Sequence, residues 1–183
     1  GRVWFGSMDD SEGSASGKFY VFDRGEIRAA GPSGIAITNG PAVNPAGDRI
    51  YFTDTTAQKI MVTELTREGA GEARLFADTG ALFPDAFPDG PVVDAEDHVW
   101  TGLYVGSSVA RFSPSGELVA TIAMPARDIT KMAFGGPDFS TGYVTTATKN
   151  LEPGDMEKYP YAGGLLAFDA PVKGFAQPLV KLS

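Results

Sequence analysis

The chain has no cysteine, a single histidine and little positive charge. No stretch approaches the ~18 uninterrupted apolar residues of a membrane-spanning helix. Without thiols there are no disulfides, no thiolate metal ligands and no cysteine nucleophile, and the compartment is left open. The lone His98 sits in a turn before Trp100 with no nucleophile beside it in the sequence. No Gly-x-Ser-x-Gly elbow occurs, so a Ser-His-Asp hydrolase is not expected. The glycines do not follow the Gly-x-Gly-x-x-Gly spacing of a dinucleotide site. Lys and Arg number 15 against 23 Asp and Glu, a net charge of −8. That balance argues against nucleic acid and anionic membranes as partners, because both require a basic surface. It leaves room for a metal ion or a neutral or polar small ligand. A soluble chain is expected, with the cytoplasm favoured over the periplasm.

What the chain does have is glycine (23) and proline (13), the composition of an all-β protein with many tight turns, and enough length for one domain with its own core. The stretch from Asp89 to Val119 shows the unit of organisation. An apolar strand from Gly90 to Asp94 leads into the turn Ala95-Glu96-Asp97. A second strand runs from Val99 to Tyr104 and a third from Val109 to Phe112. The turn Ser113-Pro114-Ser115-Gly116 then leads to a fourth strand from Leu118 to Ala123. Four antiparallel strands in about 40 residues is the size of one β-propeller blade.

The unit recurs. Trp4 in RVWFGSM, Tyr51 in RIYFTDT, Trp100 in HVWTGLY and Tyr143 in TGYVTTA lie 47, 49 and 43 residues apart. The alternation within each segment has period 2, not 3.6, which argues against a helical solenoid, and the self-similarity of the segments favours a propeller over a generic sandwich. These four aromatics are expected to form core between blades. Residues 35–78, 89–123 and 129–182 read as complete repeats, the last ending in the strand PLVKL. Residues 1–31 supply three strands and lack the first. The expected fold is therefore an all-β, single-domain β-propeller over residues 1–183, with about four blades, three complete and one without its inner strand. A chain that starts on the second strand of a blade is expected either to lack N-terminal blades or to form an open assembly.

In such a fold the first strand of each blade lines a channel, and the second-to-third loops overhang one mouth. Those loops are Met8 to Gly17, Asp54 to Gln58, Tyr104 to Ser107 and Ala147 to Gly163. The first strands open with Asn39-Gly40-Pro41, Asp89-Gly90-Pro91 and Ile129-Thr130-Lys131. Asn39 and Asp89 share a register, each five residues before Asn44 and Asp94. Two oxygen donors converging on a channel mouth suit a hard cation such as Ca²⁺. Asn-Gly and Asp-Gly are also favoured turn dipeptides, so turn capping is the competing reading. Asp9, Asp10 and Glu12 read as solvated loop charges. Tyr159 and Tyr161, in the long last loop, are candidates for a lid.

The motifs NGPAVNPAGDRIYFTD, PDGPVVDAEDHVWTGLYVGSSVARFSPSGEL and AFGGPDFSTGYVTTA, with GRVWFGSMDD and AGGLLAFDAPVKG, resemble the senescence marker protein/gluconolactonase/luciferin-regenerating enzyme family, which includes regucalcin. The resemblance implies a six-bladed ring, a divalent metal in the channel (Ca²⁺, with Zn²⁺, Mn²⁺ and Mg²⁺ as alternatives) and hydrolysis of sugar lactones. It implies that Asn39 and Asp89 are metal ligands, that Asp89 is also the general base, and that Met8 belongs to the substrate pocket. The family's N-terminal Glu ligand, and the Arg and Asn that contact substrate, have no counterpart in this sequence. Lys131 stands where the family usually has a small residue, and the alternation places its side chain away from the channel. The competing functional reading is a non-enzymatic propeller acting as a ligand-binding or interaction module, or an inactive fragment.

Overall fold

Alternation of apolar and polar residues, punctuated by turn residues, builds four antiparallel sheets in the computed structural model, which describes residues 1–180. The first sheet has three strands, β1 (Val3–Ser7), β2 (Gly17–Asp23) and β3 (Glu26–Ile35), in that spatial order. The second is β4 (Thr38–Val43), β5 (Arg49–Asp54), β6 (Lys59–Glu64) and β7 (Arg74–Asp78), also in sequence order. A single helical turn, α1 (Thr79–Leu82), is capped by the Asp78 side chain and leads to the third sheet. There the first strand is split into β8 (Phe87–Pro88) and β9 (Val92–Val93). Both pair with β10 (Val99–Tyr104), followed by β11 (Ser108–Phe112) and β12 (Leu118–Ala123). The fourth sheet holds β13 (Asp128–Gly135), β14 (Thr141–Ala147) and β15 (Leu165–Asp169), with the short α2 (Asp155–Lys158) in the loop before β15.

The sheets stack face to face over three apolar layers. Phe19, Ile35, Ile50 and Phe52 fill the first, with Trp4 partly buried against them. Tyr51, Ile60, Val62, Phe76, Val99 and Phe112 belong to the second. Trp100, Val109, Ile129, Met132 and Val144 form the third. Two of the four repeating aromatics, Tyr51 and Trp100, are fully buried as expected. Trp4 is only partly buried and Tyr143 is 38% exposed. The reason is positional. Each of these rings faces the next sheet along the stack, and Tyr143 lies on the outer face of the last one described.

The expected fourth strand of the last repeat does not form over the residues described: Pro178, Leu179 and Val180 are irregular, and Lys181 and Leu182 lie outside the described residues. Pro171 and Pro178 lack the N–H a strand would donate. The segment instead crosses beneath the sheets. Lys173 O accepts from Ala95 N at 2.9 Å, and Phe175 packs on the second apolar layer.

Candidate functional site

The strand pairing sets which residues share an end of the molecule. Thr38 pairs with Asp54, Pro88 with Leu103 and Asp128 with Ala147, so each first strand begins where the second-to-third loop of its own sheet turns. The hydroxyl of Thr38 donates to Ser7 O at 3.0 Å, which brings the end of β1, and with it Met8, to the same place. Met8 is 40% exposed there. Asn39, Asp89 and Met8 therefore occupy one end of the stack, with the loop 148–164 beside them. That loop reaches Tyr104, Glu12 and Arg127: Asn150 Nδ2 donates to Tyr104 Oη at 3.0 Å, Lys149 Nζ bonds Glu12 Oε1 at 2.6 Å, and Arg127 donates to Asn150 O at 2.6 Å and Asp155 Oδ2 at 3.1 Å. Glu12, expected to be a solvated charge, is thus paired across the mouth. Tyr161 is 57% exposed, and its carbonyl accepts from Thr146 Oγ1 at 3.2 Å.

Asn39 and Asp89 sit on adjacent strand starts. A Cβ placed on Gly40 would lie 2.8 Å from Pro91 Cγ, which gives the closeness of the two turns. A residue that the sequence did not single out, Thr55, joins them. Its Oγ1 accepts from Asn39 Nδ2 at 2.9 Å and donates to Pro88 O at 2.8 Å. Thr101 Oγ1 donates to Asp89 O at 2.8 Å and holds the backbone on the other side. Nothing marks Thr55 in the sequence, because a threonine at a strand end is common; only the strand pairing reveals the bridge.

The amide of Asn39 is committed through its nitrogen, and among the described residues its Oδ1 accepts no hydrogen bond. Asp89 Oδ1 accepts from Gly90 N at 2.7 Å, and Oδ2 has no partner among the described residues. Burial pushes the Asp89 carboxyl up to about 6, against smaller opposing pulls from the Gly90 N–H and the positive charge of Lys131. Of the turn capping that competes for Asn39 and Asp89, the Gly90 N–Asp89 Oδ1 bond is what forms among the described residues, and fuller side-chain capping occurs at the other end of the same strands. Asn44 Oδ1 accepts from Asp48 N and Arg49 N, and Asp94 Oδ1 from Glu96 N and His98 N. His98 belongs to that far turn, away from Asn39 and Asp89.

The donor set fits a hard divalent cation in type: an amide oxygen, and a desolvated carboxylate of which Oδ2 is uncommitted among the described residues. It is short in number, since no group of three or more His, Asp or Glu able to hold a metal ion occurs among the described residues. Lys131 departs from its expected orientation. Its stem lies over Gly90, with Cε and Nζ 3.3 Å from where a Cβ at position 90 would be, and its ammonium donates to Pro91 O. A bulge between Ile129 and Lys131 breaks the alternation that pointed it away. Its surface is exposed to an open cavity, yet the protein around the ammonium pulls it down to about 8. That cavity, about 660 Å³, is lined by β1, β4, β9, β13 and the tail crossing beneath, and neither Asn39 nor Asp89 contributes to its wall. No helix among the described residues is long and apolar enough to cross a membrane.

Comparison with known proteins adds to this geometry. The family profile described as SMP-30/Gluconolactonase/LRE-like region matches residues 1–148. The chain is 29% identical over 180 residues to 6-deoxy-6-sulfogluconolactonase of Pseudomonas putida, which covers 98% of this chain and 62% of that protein. It is 30% identical over 179 residues to pentonolactonase XacC of Haloferax volcanii, covering 95% and 60%. Among solved structures, a calcium-binding protein, regucalcin, from Agrobacterium tumefaciens superposes with a TM-score of 0.92 at 29% identity, over 100% of this chain and 62% of that one. The fold is thus of regucalcin type, and the chain spans about 60% of the length of these relatives.

Proposed function

Since the chain belongs to the SMP-30/gluconolactonase/LRE-like family, we propose that it is the larger part of a sugar-lactone hydrolase in a six-bladed ring, with Asn39 and Asp89 holding a divalent cation at the channel mouth. The observation that supports this reading is the Asn39–Thr55–Pro88 bridge, which links Asn39 to the residue before Asp89. The names of the relatives, lactonases and a calcium-binding protein, support the substrate class and the cation.

Asn39 Oδ1 and the Asp89 carboxylate would hold the ion, Ca²⁺ by the hardness of the donors and Zn²⁺, Mn²⁺ or Mg²⁺ by the same oxygen chemistry. A cation bound there would supply Lewis-acid polarisation of the lactone carbonyl and make a bound water more acidic. Asp89 takes a proton from the attacking water. In the cation-free site, burial raises the proton affinity of Asp89 above that of an ordinary aspartate, to about 6. Thr55 and Thr101 fix Asn39 and the Asp89 backbone, so that neither donor must reorganise during the reaction. Met8 and its loop wall one side of the substrate space.

The test is lactone opening followed by proton release, with gluconolactone as substrate and each divalent cation in turn. A version restored to the full length of the relatives is expected to show cation-dependent turnover, this chain alone little or none, and Asp89→Asn in the restored version to lose it by about 10²-fold or more. Turnover that survives Asp89→Asn, or that ignores chelation, would remove the assignment. Cation binding without turnover would favour a ligand-binding propeller.

A further inference from the structure

The hydrolase reading leaves one charged side chain in the channel without a task. Lys131 stands on β13 against the start of the third sheet, where it forms a parallel bridge with Gly90. Gly90 N donates to Thr130 O at 3.0 Å, which locks the two strands together next to Asp89. The glycine is what admits the lysine: Lys131 Cε and Nζ lie 3.3 Å from the place of a Cβ at position 90, so its stem fills the space a side chain there would need. The ammonium donates to a carbonyl, Pro91 O, and none of the ion pairs among the described residues includes it. The bridge to Gly90 and the bond to Pro91 O hold this charge beside the two residues that follow Asp89.

A buried carboxylate with no counter-charge is costly, and a fixed cation nearby lowers that cost. The same cation repels any second cation that approaches the carboxylate. We infer that Lys131 is the internal counter-charge of Asp89 and that it weakens the hold of Asn39 and Asp89 on a divalent cation. This rests on the cation-site reading above and adds to it a residue that sets affinity without touching substrate. The site would then fill according to the concentration of the ion, not hold it permanently.

The experiment compares wild type with Lys131→Met, Lys131→Gln and Lys131→Arg by calorimetric titration of the chelator-stripped protein with CaCl₂ and MnCl₂, each preparation checked by its melting curve. Met keeps an apolar stem of similar length, Gln is a second neutral choice should Met fold poorly, and Arg keeps the charge. The neutral variants should bind both ions on the order of tenfold more tightly or better, and Arg should stay near wild type. Equal affinity in wild type and the neutral variants would overturn the role of Lys131 and leave the site standing. Tightening in Arg as well would overturn the charge explanation. Absence of binding in every variant up to millimolar ion would overturn both the inference and the site beneath it.

Discussion

Asp94 accepts hydrogen bonds from Glu96 N, His98 N, Trp100 Nε1 and Arg111 Nε, whereas Asp89, five residues earlier, accepts one, from Gly90 N. The spacing made both visible in the sequence, but the difference between them depends on which strand ends meet, which spacing does not carry. The same applies to Thr55 and to Lys131, whose direction is set by a bulge that breaks the period of 2. Asp89 has a consequence for stability. Burial raises its folded-state value from 3.8 to about 6, so the folded chain binds that proton more tightly than the unfolded one. In the cation-free protein, the contribution of Asp89 to stability is therefore greatest below about 4 and is lost as pH rises through 6, by about 1–3 kcal/mol in all. Asp89→Asn should raise Tm by several degrees at pH 7 and hardly at pH 4, measured by melting in chelator. An equal shift at both pH values would show that its effect is not the carboxyl's charge. Thr53 offers an independent case. It is fully buried and its Oγ1 has no partner. Thr53→Val should stabilise by about 1 kcal/mol in urea unfolding, since it removes an unpaired hydroxyl at constant shape. A loss of stability would mean that the hydroxyl is bonded.

Among the elements, the repeat was legible because each strand carries its own alternation and its own turn. The strands Val99–Tyr104 and Leu118–Ala123 fall where the pattern puts them. What a strand cannot encode is its neighbour. Trp100 and Tyr143 occupy equivalent places in their sheets, yet one is fully buried and the other 38% exposed, because a sheet covers the first and none among the described residues covers the second. Trp100→Ala should cost about 3–5 kcal/mol, and Tyr143→Ala less than about 1 kcal/mol, in chemical unfolding of this chain. Comparable losses at both positions would mean that Tyr143 is covered in solution. The segment after β15 misled the pattern for a related reason. PLVKL is apolar enough for a strand, but Phe175 is drawn into the apolar layer beneath the neighbouring sheets, and the chain follows it.

At the scale of the whole molecule, the first strands and the loops that follow the second strands meet at one end, as the up-and-down order of strands dictates. That end gathers Met8, Asn39 and Asp89, with Glu12 and Lys149 paired across it. The pair is exposed and contributes little to stability, so its value lies in where it draws the long loop. The surface charge of −8 favours cations generally, and the local arrangement decides where one rests. The central claim is that Asn39 and Asp89 share one ion. The most direct measurement is an anomalous difference map from crystals of this chain soaked in MnCl₂. The account predicts a single peak at the channel mouth, about 2.0–2.6 Å from both Asn39 Oδ1 and a carboxylate oxygen of Asp89. A peak held by other residues, or a clear map with no peak between these two, would contradict it.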